Sequence, residues 1–130
     1  MKKKVNGMNI TNFGEFLQSK RTAKNITMRQ MAEKLGVSAP FLSDVEKGRR
    51  NSLFEMETLN KLRVILELSD EEFALMLDLA GKQRNTVAPD LPKYIMENDY
   101  VTAALRTARD LGAGEKEWQE FVKELKKRKG

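Results

Sequence analysis

Residues 27–48, TMRQMAEKLGVSAPFLSDVEKG, constrain this chain more than any other stretch. Met28, Met31, Ala32 and Leu35 fall at i, i+3, i+4 and i+7, which is one face of a helix. Thr27 stands before that stripe as an N-cap, with Gln30 in place to close a capping box. Gly36 follows the last apolar residue, where a left-handed residue ends a helix at little cost. Ser38 caps a second helix, and Pro40 falls in its first turn, where the missing N–H is no loss. Phe41, Leu42 and Val45 then face inward, and Gly48 stops the run. Two capped helices joined by a turn of about three residues cannot lie side by side; they must cross steeply. The plain alternative is a pair of core helices joined by a loop.

The stretch resembles the helix-turn-helix of the XRE family, which includes the lambdoid phage repressors. The resemblance rests on Ala32 and Gly36 flanking the turn, on apolar Met31, Leu35, Val37, Leu42 and Val45, and on the ending Val45-Glu46-Lys47-Gly48. It implies an all-α, five-helix lambda-repressor-like DNA-binding domain over residues 12–82, with the helix at about 39–47 in the major groove. The base-facing candidates are Ser38, Ala39, Pro40, Ser43, Asp44 and Lys47. Direct readout by this set is sparse, because Ala39 and Pro40 can touch a thymine methyl but cannot hydrogen-bond to adenine. Asp44 either accepts from a cytosine amino group or orients Lys47 or an arginine. Met28 occupies the position where the family often has a phosphate-clamping glutamine.

The resemblance also pairs an arginine of the first helix with a glutamate near the end of the recognition helix, here Arg21 and Glu46. That pair would lock the two helices together and leave Arg21 near a phosphate. Arg29, Arg49, Arg50 and Asn51 are the other phosphate candidates. Lys47, Arg49 and Arg50 form a basic corner around Gly48.

Composition narrows the chemistry. The 130 residues include no cysteine and no histidine, which excludes Ser–His and Cys–His nucleophile pairs and any metal site built on imidazole or thiolate. No glycine-rich phosphate loop is present. No catalytic residue, cofactor or metal is therefore expected, and the chain is not read as an enzyme. No apolar run approaches the roughly 18–20 residues that span a bilayer, so no membrane partner is expected and residence is expected to be cytoplasmic. Residues 1–50 hold 11 bases and 4 acids, residues 51–92 hold 4 bases and 8 acids, and residues 93–130 hold 9 bases and 7 acids. The positive charge thus gathers around the motif, as a phosphate-facing surface requires.

Around the motif, residues 1–11 are expected to form a flexible basic arm. Its Lys2, Lys3 and Lys4 either reach the DNA or simply solubilise the end. Asn12, with Glu15, caps a helix over Phe13–Ala23. Another helix is expected from Glu55 to Leu68, and the Ser69–Glu72 capping box opens one that Gly81 closes. Residues 83–92, with two of the three prolines, read as a linker.

The tail, 93–130, reads as a two-helix extension. Asp99 caps a helix through Leu111 with Val101, Ala104, Leu105 and Ala108 on one face. Gly112 and Gly114 interrupt, and Trp118, Phe121, Val122 and Leu125 share a face of the last helix. Two helices alone cannot bury two such stripes. They must pack on the domain or on a second copy, and homodimerisation is the favoured expectation, since such regulators read two-fold sites. The tail is also similar to the C-terminal segments of small XRE regulators of Gram-positive bacteria and mobile elements.

The function implied is a sequence-specific transcriptional regulator, a repressor that binds a two-fold operator as a homodimer. The alternative is a protein-interaction module, such as an antitoxin or protein inhibitor, that keeps the fold. Expected partners are double-stranded DNA and a second copy, with a regulatory protease, an antirepressor or a toxin as further candidates.

Overall fold

Helix-capping side chains begin most of the helices of the first domain. The computed structural model describes the backbone of residues 3–5 and 8–10, and both backbone and side chains of residues 12–50 and 55–129. In it, α1 spans Phe13–Ala23, α2 Met28–Leu35, α3 Ala39–Glu46, α4 Met56–Ile65 and α5 Asp70–Gln83. The side chains of Asn12, Thr27, Ser38 and Ser69 accept the N–H groups of Glu15, Gln30, Phe41 and Glu72 at 2.8 to 3.1 Å. At Thr27 and Ser69 the partner side chain returns a contact to the cap backbone, closing two capping boxes.

The other ends of these helices follow one rule with varied residues. Asn25, Gly36, Gly48, Glu67 and Asn85 take left-handed backbone just beyond α1 to α5. Each lets two successive N–H groups return to carbonyls of the last turn; after α3, Gly48 N–H meets Val45 O at 3.1 Å and Arg49 N–H meets Asp44 O at 2.9 Å. The stop at Glu67 ends α4 at Ile65 rather than Leu68, although Leu66 and Leu68 remain buried.

The core gathers one face from each helix: Phe13, Phe16 and Leu17; Met31 and Leu35; Leu42 and Val45; Leu59 and Leu62; Met76, Leu77 and Ala80. Full burial of each large side chain contributes about 1.5–3 kcal/mol, so this five-helix cluster is the domain's main source of stability. Residues 13–83 thus fold as five α-helices around one core.

β1 (Lys3–Val5) pairs antiparallel with β2 (Met8–Ile10), with Lys3 opposite Ile10, in the stretch expected to form a flexible basic arm. Gly81 does not close α5, which runs on to Gln83. Its missing Cβ is needed for another reason: an added Cβ would stand 2.5 Å from the Val87 carbonyl. The stretch expected to be a linker therefore packs back on α5, with Ala88 buried and Thr86 N–H bonded to Gly81 O at 2.9 Å.

The chain divides into two units, 1–92 and 93–130. A short helix, α6 (Pro92–Met96), starts at that boundary, and the two helices expected of the tail follow as α7 (Asp99–Asp110) and α8 (Glu115–Lys129). One short turn opening on proline gave too little periodicity to read. Asn98, not Asp99, occupies the N-cap of α7, and it makes no side-chain cap bond. Its amide is engaged elsewhere, donating to Tyr94 O and accepting from the Tyr100 hydroxyl, both at 2.6 Å. Gly112, left-handed, ends α7.

Candidate nucleic-acid interface

The turn at Gly36 and the cap at Ser38 set α3 so that Leu42 and Val45 enter the core while another side stays open. On the open side Ser38, Pro40 and Lys47 are exposed, and Ser43 and Asp44 are half-buried. Ser38 Oγ accepts the Phe41 N–H at 3.1 Å, which leaves its hydroxyl proton to donate. Ala39 is half-buried and packs against the core cluster. Met28 packs there too, so the first residue of α2 serves the interior. Arg29 beside it is exposed.

Arg21 and Glu46 form the pair expected of them. Arg21 Nε and Nη2 donate to the two carboxylate oxygens at 2.7 and 3.0 Å, and Nη1 donates to Ile26 O at 2.9 Å. The two side chains are only 11% and 3% exposed. Donation to the Glu46 carboxylate holds the Arg21 guanidinium above its ordinary pKa, against the opposing effect of burial. Largely covered and engaged at three nitrogens, Arg21 serves as a structural link between α1 and α3.

Beyond α3 the basic corner takes a definite shape. Gly48, at φ +73°, turns the chain, and Lys47, Arg49 and Arg50 are exposed around it. Arg50 folds back: its guanidinium carbon lies 4.6 Å from the centre of the Phe41 ring, and its Nε lies 3.9 Å from Asp44 Oδ2. Asp44 thus has the Arg50 cation beside it. Gln83 Nε2 donates to Arg50 O at 3.2 Å, tying the end of α5 to the corner. Asn51 lies outside the described residues. Sequence reasoning missed Phe41 as a platform and Gln83 as a tether; neither contact has a local signal, because each joins residues that only the folded chain brings together.

The second unit presents a different surface. Tyr94, Tyr100, Val101, Ala104, Leu105, Trp118, Phe121 and Leu125 line a groove of about 520 Å³. Trp118 and Phe121 meet edge to face with centroids 6.1 Å apart. Val122 is exposed and Ala108 half-buried, both outside the groove lining. No residue described between 93 and 129 is buried. Among the described residues no helix is long and apolar enough to cross a membrane, and no cluster of acidic side chains fits a metal ion.

A crossed pair of capped helices, locked to α1 through Arg21–Glu46 and closed by α4 and α5, defines a helix-turn-helix domain of the XRE kind. The chain belongs to the helix-turn-helix domain family, whose profile matches residues 12–76. Two curated relatives, both named uncharacterized HTH-type transcriptional regulators, come from two strains of Mycobacterium tuberculosis, CDC 1551 / Oshkosh and ATCC 25618 / H37Rv. Each is 40% identical over 58 residues, a match that takes in 45% of this chain and 40% of the relative. The match therefore spans less than half of each relative's length. Among solved structures, the SinR protein/SinI protein complex contains a chain similar at TM-score 0.44 and 23% identity, over 90% of this chain and 97% of that one.

Proposed function

We propose that this chain is a sequence-specific DNA-binding transcriptional regulator, a repressor that acts as a homodimer on a two-fold operator. The observation that carries the reading is the cationic corner at Lys47, Arg49 and Arg50, set directly beside the open side of α3. With α3 in the major groove, Arg49 and Arg29 meet phosphates and fix the docking register, while Ser38, Ser43 and Lys47 face base edges. Occupying a promoter in this way excludes polymerase.

The apolar groove of the second unit supports the dimer. Trp118, Phe121 and Leu125 are 40 to 54% exposed there, and a second copy would bury them. Dimerisation would also present two copies of α3 to half-sites about one helical turn apart. The same groove favours a second reading, in which another protein, such as a toxin or an antirepressor, docks there.

Selection from randomised duplex DNA with the full-length chain, alongside sedimentation of the protein alone, tests both readings. Two-fold enriched sites and a dimer that Phe121→Glu dissociates are the expected results. A monomer at all concentrations, with no enriched site, would contradict the proposal and favour the protein-partner reading.

A further inference from the structure

We infer that Arg50 reads a guanine in the major groove, and that Phe41 and Asp44 hold it for that task. The inference rests on the DNA-binding reading above and adds a specificity-determining residue to it. Arg50 lies beyond the end of α3, yet its guanidinium returns to the flank of that helix, against Phe41 and beside Asp44. Phe41 and Asp44 are three residues apart, so they stand one above the other on α3. The cation thus spans one turn of the helix that would enter the groove.

This placement suits base reading better than phosphate contact. A phosphate is served by charge, with little need for a fixed orientation. Guanine presents two acceptors, O6 and N7, and matches the planar fork of an arginine whose plane is set in advance. The Phe41 ring, 4.6 Å from the guanidinium carbon, gives the fork an aromatic face to rest on. At 3.9 Å, Asp44 is too far to accept a hydrogen bond, so it contributes charge while the guanidinium keeps its N–H donors for a ligand. Arg50 in turn offsets the Asp44 carboxylate, which would otherwise repel the phosphate backbone. Gln83 fixes the Arg50 carbonyl and hence the backbone from which the side chain starts. Arg49, exposed and without a ring or carboxylate partner among the described residues, fits the sequence-independent phosphate contact. The arrangement also supplies a direct contact that Ala39 and Pro40 cannot.

The test compares site selection by the full-length wild type, Arg50→Lys, Phe41→Leu and Arg49→Ala. Wild type is expected to fix a G·C pair in each half-site. Arg50→Lys keeps the charge but loses the fork, and should relax that one position by about tenfold. Phe41→Leu should relax the same position less, and Arg49→Ala should weaken all sites evenly with every preference intact. If wild type enriches a site whose preferences all survive Arg50→Lys, Arg50 is a phosphate contact and the inference is overturned. If wild type enriches no site at all, the DNA-binding reading has failed and takes the inference with it.

Discussion

Gly14 of α1 lies directly against the backbone carbonyl of Glu46 at the end of α3: a Cβ at Gly14 would stand 2.3 Å from that oxygen and 2.7 Å from the Val45 oxygen. The carboxylate of the same glutamate is gripped by Arg21, about two turns further along the same face of α1. α3 is therefore held to α1 through both the backbone and the side chain of one residue, and the pose of its open side depends on that grip. Gly14→Ala should force α1 and α3 apart. Backbone cannot yield as a flexible side chain would, so a loss of at least about 1–3 kcal/mol is expected, read as a lower denaturation midpoint. Gly36→Ala tests the contrast: open space surrounds it, and its cost comes from φ +73° alone, about 1–2 kcal/mol. A neutral Gly14→Ala would show that the close approach is not needed.

Removing one partner of Arg21–Glu46 leaves the other's charge covered and without a counter-charge. Glu46→Ala should cost about 3–5 kcal/mol in thermal or denaturant unfolding, whereas Arg21→Met combined with Glu46→Leu should cost clearly less. If the double variant is worse than either single one, the pair is a net stabiliser beyond its geometry.

Glu72 joins two jobs, capping α5 through Ser69 and accepting from Lys20, which is itself buried beside Phe16. The Lys20 hydrogen bond, and after it the Ser69 N–H, hold the Glu72 carboxyl below its ordinary value, with burial acting the other way. A depressed carboxyl binds its proton more readily in the unfolded chain. Its contribution is thus complete above the ordinary glutamate value of about 4.3 and is lost as pH falls through the folded value. Unfolding followed from pH 7 down to pH 2 should show an acid limb that Glu72→Gln flattens. An unchanged acid limb would assign it to other carboxylates.

Glu67 takes a left-handed conformation, φ +51°, that favours glycine. Its ion pair with Lys24, at 3.0 Å, joins exposed groups and is worth little. Glu67→Gly should relieve about 1–2 kcal/mol of strain against a smaller entropic loss, and so raise the melting temperature. A lower melting temperature would mean that the Lys24 contact outweighs the strain.

The helix starts were legible in the sequence because capping is local: Asn12, Thr27, Ser38 and Ser69 each need only a residue three places on. Helix stops were half legible. Gly36 and Gly48 advertise left-handed turns, but Asn25, Glu67 and Asn85 do the same work without a comparable signal. Gly81 misled because glycine serves both a stop and a close approach, and only the packed Val87–Ala88 backbone distinguishes them. Arg21–Glu46 came from family resemblance, since no spacing rule links residues so far apart. The Arg50–Phe41 stack and the Gln83 tether depend on where the turn at Gly48 sends the chain, which periodicity does not reveal.

The most direct test of DNA binding is a titration of the full-length protein onto the duplex upstream of its own gene and onto a scrambled duplex, repeated across a series of salt concentrations. The proposed function predicts tighter binding to the first at every salt concentration, with affinity falling steeply as salt rises. Arg49→Ala should make that fall shallower by about 1 in the log–log slope. Equal affinity for both duplexes, or binding that neither salt nor Arg49→Ala alters, would contradict it.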